Sequence, residues 1–170
     1  MDGDGMTWVD LLQALADFIK EKTADLIMPT RVQGKNEEQG YRAADVYKMR
    51  LPDSKSATKK APYVLIQLIT AADEEPARDQ DDSYAVVRII LCTYNPDEQE
   101  GALQLLNLAS RIRINLLKTC VVGPKNEFWL DKTEKLEFMA YPDDTAPYYA
   151  GEMIGTWHIP PVRREVPQIW

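Results

Sequence analysis

Histidine is nearly absent from this 170-residue chain: His158 is the single one. A Cys/His or Ser/His nucleophilic pair would have to be built on it, and it stands in a strand pattern that runs straight into Pro160 and Pro161. An edge or surface strand position is the expectation for that ring. Cysteine is scarce too. Cys92 lies inside an apolar run and Cys120 closes a helical pattern, so both read as small buried hydrophobes rather than redox groups. No CxxC, no HExxH and no glycine-rich phosphate loop occurs. Nitrogen and sulfur ligands for a zinc ion would have to come from His158, Cys92 and Cys120 alone, so neither a metal nor a cofactor is expected. No run approaches the ~20 apolar residues of a membrane span. The opening MDGDGMTW lacks the basic start and apolar core of a signal peptide, which places the expected site of action in the cytoplasm or in something assembled there. Basic charge is also short: 20 Lys and Arg against 27 Asp and Glu leave a net charge of -7. A protein that grips nucleic acid needs a basic face, so DNA is expected to be passed here rather than held.

What is present is an amphipathic, α+β pattern. Trp8, Leu11, Leu12, Leu15, Phe18, Ile19 and Leu26 recur at spacings of three and four, which predicts a helix over 7–27 with Thr7 as N-cap, Asp10 in its acidic first turn and Pro29 marking its end. Residues 30–44 are polar and aperiodic and read as a mobile loop. Tyr47, Met49 and Leu51 alternate as one face of a short strand over 45–51. Strands are predicted over 62–70 and 83–94, paired as an antiparallel hairpin across a long loop. Asn95 as N-cap and Pro96 at the first helical position introduce a long helix over 95–120, which Gly123 and Pro124 break. Two further strands follow, near 136–141 and over 148–159, before the double proline. The expected domain is a mainly antiparallel sheet of four to five strands with the N-terminal and central helices on one face, spanning 1–165 and followed by an arm, 166–170.

Three features of this pattern suggest surfaces rather than chemistry. The long helix has a core stripe of Leu105, Leu106, Ala109, Ile112, Leu116 and Leu117, while Leu103, Leu108 and Ile114 are read as lying off it. Its apolar surface suits either a deeply covered core helix or a second packing face for another subunit. The segment 53–62 carries Lys55, Lys59 and Lys60, whereas the loop over 72–82 carries Asp73, Glu74, Glu75, Asp79, Asp81 and Asp82. The two should sit at opposite ends of one strand, and that polarity could serve contacts between copies or merely solubility. The acidic loop lacks the glycine turn and alternate spacing of a calcium loop. Past Pro161 the stiff, extended tail offers Arg163 and Arg164 to an acidic surface and Val166, Ile169 and Trp170 as apolar anchors, either to its own domain or to a neighbour.

The order SYAVVRIILCTYNPDEQEGALQLLNLASRIRINLL, then YYAGEMIGTWHIPPVRRE, resembles the tail-terminator family of tailed bacteriophages and phage-derived tail particles. The carrying features are a strand running into Asn95, Pro96 and Asp97 and a long helix, followed by the GEM-x-x-x-W-x-I-P-P strand at 151–161. The resemblance covers roughly residues 62–165; the N-terminal helix agrees with it, and 30–60 and the end after Glu165 are not set by it. It implies a homo-oligomeric ring, usually hexameric, at the head-proximal end of the tail tube. Such a ring stops tube polymerisation, offers a docking surface to a neck or head-completion protein and leaves a channel for DNA. It also implies a place in the tail of a virion or phage-like particle assembled in a bacterial host's cytoplasm, with no membrane and no catalysis. A head-to-tail joining or tail-completion protein on the portal side shares the same logic and is the nearest alternative. A small-ligand-binding α+β enzyme and a nucleic-acid regulator are the remaining ones.

Overall fold

A computed structural model describes residues 5–32, 34, 37–53, 60–142 and 145–165. The first helix, α1 (Trp8–Thr23), begins where the sequence places it: Thr7 Oγ1 accepts from the Asp10 amide at 3.1 Å, and the Asp10 carboxylate accepts from the Thr7 amide at 2.8 Å. This reciprocal box satisfies two of the amides that a helix start leaves open. Leu11, Leu15 and Ile19 are buried, but Trp8 is exposed at the helix entrance. The helix ends at Thr23 rather than near Pro29, because Pro29 joins β1 (Met28–Pro29), which pairs with β2 (Tyr41–Arg42) inside the expected loop.

The main sheet has seven strands rather than four to five. β3 (Asp45–Lys48) pairs in parallel with β4 (Tyr63–Ala77); β4 pairs antiparallel with β5 (Gln80–Tyr94), and β5 with β9 (Tyr148–Ile159). The far edge of β9 is shared by β7 (Phe128–Leu130) and β8 (Glu137–Ala140), and β6 (Val121–Val122) closes the order beyond β7. The two strands beyond those expected, β6 and β7, have two and three residues, too few for alternation to count. On β9 the pattern is plain: Gly151, Met153, Gly155, Trp157 and Ile159 are buried in turn. Its core face meets α1 and α2 (Glu98–Thr119) in one apolar cluster that includes Val64, Ile66, Val87, Ile89 and Phe128. Tyr63, Leu65 and Cys92 form a smaller cluster with Ala61.

α2 starts two residues later than Asn95 and Pro96 suggested. Asp97 is the N-cap, accepting from the Gln99 and Glu100 amides, while the Asn95 side chain accepts from the Asp97 amide and shapes the approach. At the other end Cys120 adopts φ 68 and donates its amide to the Leu116 carbonyl at 2.8 Å, so this half-buried thiol residue is the helix C-cap.

Candidate assembly surfaces

The long hairpin loop expected over 72–82 is not a loop. β4 and β5 continue as a ladder through Asp73 with Ser83, Glu74 with Asp82 and Ala77 with Gln80, and Arg78 and Asp79 make the turn, with Asp79 at φ 63. No apolar alternation marks this stretch because both of its faces meet solvent, so the inward and outward pattern that betrays a strand is missing. β9 stops pairing with β5 at Ser83, where Ile159 gives way to Pro160 and Pro161, and a proline cannot donate to a ladder. Past that point the hairpin projects as a two-stranded finger. Six carboxylates, Asp73, Glu74, Glu75, Asp79, Asp81 and Asp82, stand on it against the single cation of Arg78. Since β3 covers β4 only from Tyr63 to Ile66, the outer edge of β4 toward the tip has no partner strand among the described residues. Open strand edges accept other strands, and charges on them select which.

The base of the finger is pinned. His158 lies inside the sheet, paired with Tyr84 on one side and Trp129 on the other, so the expected edge position does not hold. Its Nδ1 is 2.9 Å from Asp82 Oδ1 and its Nε2 is 2.9 Å from Asp131 Oδ2, and the ring stacks on Trp129 at 5.1 Å between centroids. Burial alone would pull the His158 pKa down, but the hydrogen bonds and charges of Asp131 and Asp82 outweigh it and carry the pKa above its ordinary 6.5. Asp131 is held down to about 2, first by the Thr133 hydroxyl, against burial, then by His158 and by the amides of Thr133 and Glu134. A groove of about 370 Å³ opens here, lined by Glu74, Asp82, Tyr84, Asp131, Glu134 and His158. A notch of about 380 Å³ on the finger's other side runs from Asp73 and Asp81 to Pro161 and Val162, where the arm departs. Arg163 and Arg164 are exposed beyond it. Sequence reasoning missed Asp131 and Trp129 as parts of this cluster, because what the segment 129–133 faces is set only by its pairing with β9.

The second surface is the outer side of α2. Leu103 (54% exposed) and Ile114 (53%) stand eleven residues, or about three turns, apart and point away from the sheet. Leu108 corrects the expectation, being wholly buried. It follows Leu105 by three residues and precedes Ile112 by four, so helical geometry returns it to the core stripe and away from any neighbour. Leu106, expected in that stripe, is exposed instead and borders an apolar groove with Tyr141 and Ala140, of about 130 Å³. Lys60 is half-buried just before β4, at the pole opposite the finger. Lys55, Lys59, Val166, Ile169 and Trp170 lie outside the described residues.

Among the described residues no group of three or more His, Cys, Asp or Glu side chains is placed to hold a metal ion, and no helix is long and apolar enough to cross a membrane. No protein-family model matches the chain, and no curated protein matches it either. Among solved structures, a chain from the virion of a native gene transfer agent (GTA) particle is similar, with 10% sequence identity and a TM-score of 0.48 over 89% of this chain and 95% of that one. A likeness of that degree carries no argument about what this chain does.

Proposed function

We propose that the chain is a ring-forming assembly subunit that caps the head-proximal end of a phage or phage-like tail tube, ends tube polymerisation and offers the neck a docking surface. The observation that carries this reading is that one small domain presents two unlike exposed surfaces, the outer side of α2 with its exposed Leu103, Leu106 and Ile114, and the acidic finger. A ring closes through heterologous contacts, which join different patches on neighbouring copies, whereas a two-fold dimer needs one self-complementary patch. The sequence resemblance to tail terminators points the same way. In this reading the arm with Arg163, Arg164, Val166, Ile169 and Trp170 lies on a neighbour. Lys60, at the pole opposite the finger, meets carboxylates of the next copy together with Lys59, its neighbour in sequence, and the finger faces the channel. A wall of carboxylates there lets DNA slide without adhering.

The deciding measurement is mass in solution by light scattering, for the full chain and for a truncation ending at Arg164, each alone and with assembled tail tubes. Rings or capped tubes with the full chain only are the expected result. Monomers of both that ignore tubes would overturn the reading. The placement of the finger has its own test: Asp79, Asp81 and Asp82 changed together to alanine should impair ring assembly or infectivity, and unchanged values for both would remove the finger from the channel.

A further inference from the structure

We propose that His158 is a charge-dependent staple that holds the acidic finger to the body of the subunit, and that loss of its proton frees Asp82 while leaving Asp131 in place. The geometry sets the first half. Both ring nitrogens stand 2.9 Å from a carboxylate oxygen, and a carboxylate only accepts, so both nitrogens must donate. Only the doubly protonated ring has two N–H groups. A neutral ring keeps one of these bonds and turns a lone pair toward the other carboxylate, so one contact must open.

Which one opens follows from what else holds each partner. Asp131 Oδ1 accepts from the Thr133 amide at 2.8 Å and from the Thr133 hydroxyl at 2.6 Å, and the Asp131 amide donates to the Thr156 carbonyl at 2.8 Å. Its side chain is 17% exposed. The Asp82 carboxylate is 34% exposed, and its hydrogen bond among the described residues is the one to His158. Water can take over a half-open carboxylate at small cost, whereas Asp131 is already built into a turn. The neutral ring therefore keeps its proton on Nε2 toward Asp131, and the finger, beginning at Asp82, loses its tie. The groups facing the ring are Asp82 and Tyr84 from β5, Glu74 from β4, and Asp131 and Glu134 from the turn after β7, with no basic side chain lining the groove. The imidazolium is thus the one cation among these carboxylates. Its loss leaves them mutually repelling at the root of the finger. The staple is a property of the subunit; only its consequence for assembly, a finger ordered at lower pH and released at higher pH, rests on the ring reading.

The test is made on the full chain, by titrating the His158 ring by NMR and measuring amide exchange over a pH series from about 5 to about 9, each rate divided by the intrinsic rate at that pH. Protection over residues 80–84 should fall about fivefold or more as the ring loses its proton, with residues 131–134 unchanged. In Asp82→Asn the ring still titrates, but the step in protection at 80–84 disappears. A ring that titrates without any change at 80–84, a change confined to 131–134, a step that survives in Asp82→Asn, or a ring that never titrates in this range would each overturn the staple. Failure of ring assembly with the protection step intact would count against the proposed function alone.

Discussion

Changing Leu103 and Ile114 together to glutamine should weaken self-association while sparing the fold, and changing Leu108 to alanine should do the reverse. Roughly half of the Leu103 and Ile114 side chains is open to solvent in the isolated subunit. Full burial of a large aliphatic side chain contributes about 1.5–3 kcal/mol, so covering the exposed halves on a neighbour is worth about 1 kcal/mol each. Losing both contacts weakens each interface by about 2 kcal/mol, or about 30-fold in association. Glutamine is a good helix former and its ethylene stem keeps part of the inward contact, so the double variant should unfold within about 1 kcal/mol of the parent. Leu108 is wholly enclosed, and its truncation leaves a cavity that costs about 2–5 kcal/mol of stability. Urea unfolding and concentration-dependent light scattering on the same samples separate the two effects. If the glutamine pair destabilises the subunit as much as Leu108→Ala, or leaves association untouched, α2 has no outward role.

Three further outcomes are expected. Asp131, held at about 2, contributes stability that is present above the ordinary carboxylate pKa near 3.8 and is lost as pH falls through its folded value. Thr133→Ala removes its strongest support, so the carboxyl should rise toward 3.8 and the acid-unfolding midpoint should move to higher pH; an unmoved midpoint would show that Thr133 is not what holds it. Gly101 admits α2 against the Tyr149 ring, where an added Cβ would lie 2.1 Å from a ring carbon. Gly101→Ala should cost about 1–3 kcal/mol in urea unfolding, and Tyr149→Leu in the same chain should recover part of it. The Cys92 thiol is pushed up to about 11 by burial, against an opposing hydrogen bond with Tyr63. It should resist a thiol reagent at pH 8 in the native protein and react on unfolding; rapid native labelling at Cys92 would contradict its burial.

Elements that face the core could be read from the chain, because burial imposes a period on the residues that undergo it. The period of three and four in α1, the strict alternation from Gly151 to Ile159 and the stop at Pro160 all record a local geometry meeting an apolar interior. The capping box of Thr7 and Asp10 is equally local, since both partners lie within one turn. Where the chain leaves the core, that record fades. Residues 72–82 look like a solvated loop, yet they continue two strands, because a ribbon wet on both faces needs no alternation. Leu106 and Leu108 exchange their expected places for a related reason: a helix broad in leucine does not announce which side the sheet will take. The pairing of β3 with β4, the insertion of β9 between β5 and the β7 and β8 edge, and the meeting of Asp82, His158 and Asp131 join residues far apart in sequence. Charge, helical period and turn chemistry act within a few residues and so belong to the sequence alone. Which distant carboxylates close on one imidazole is decided only when strands from separate parts of the chain are laid side by side.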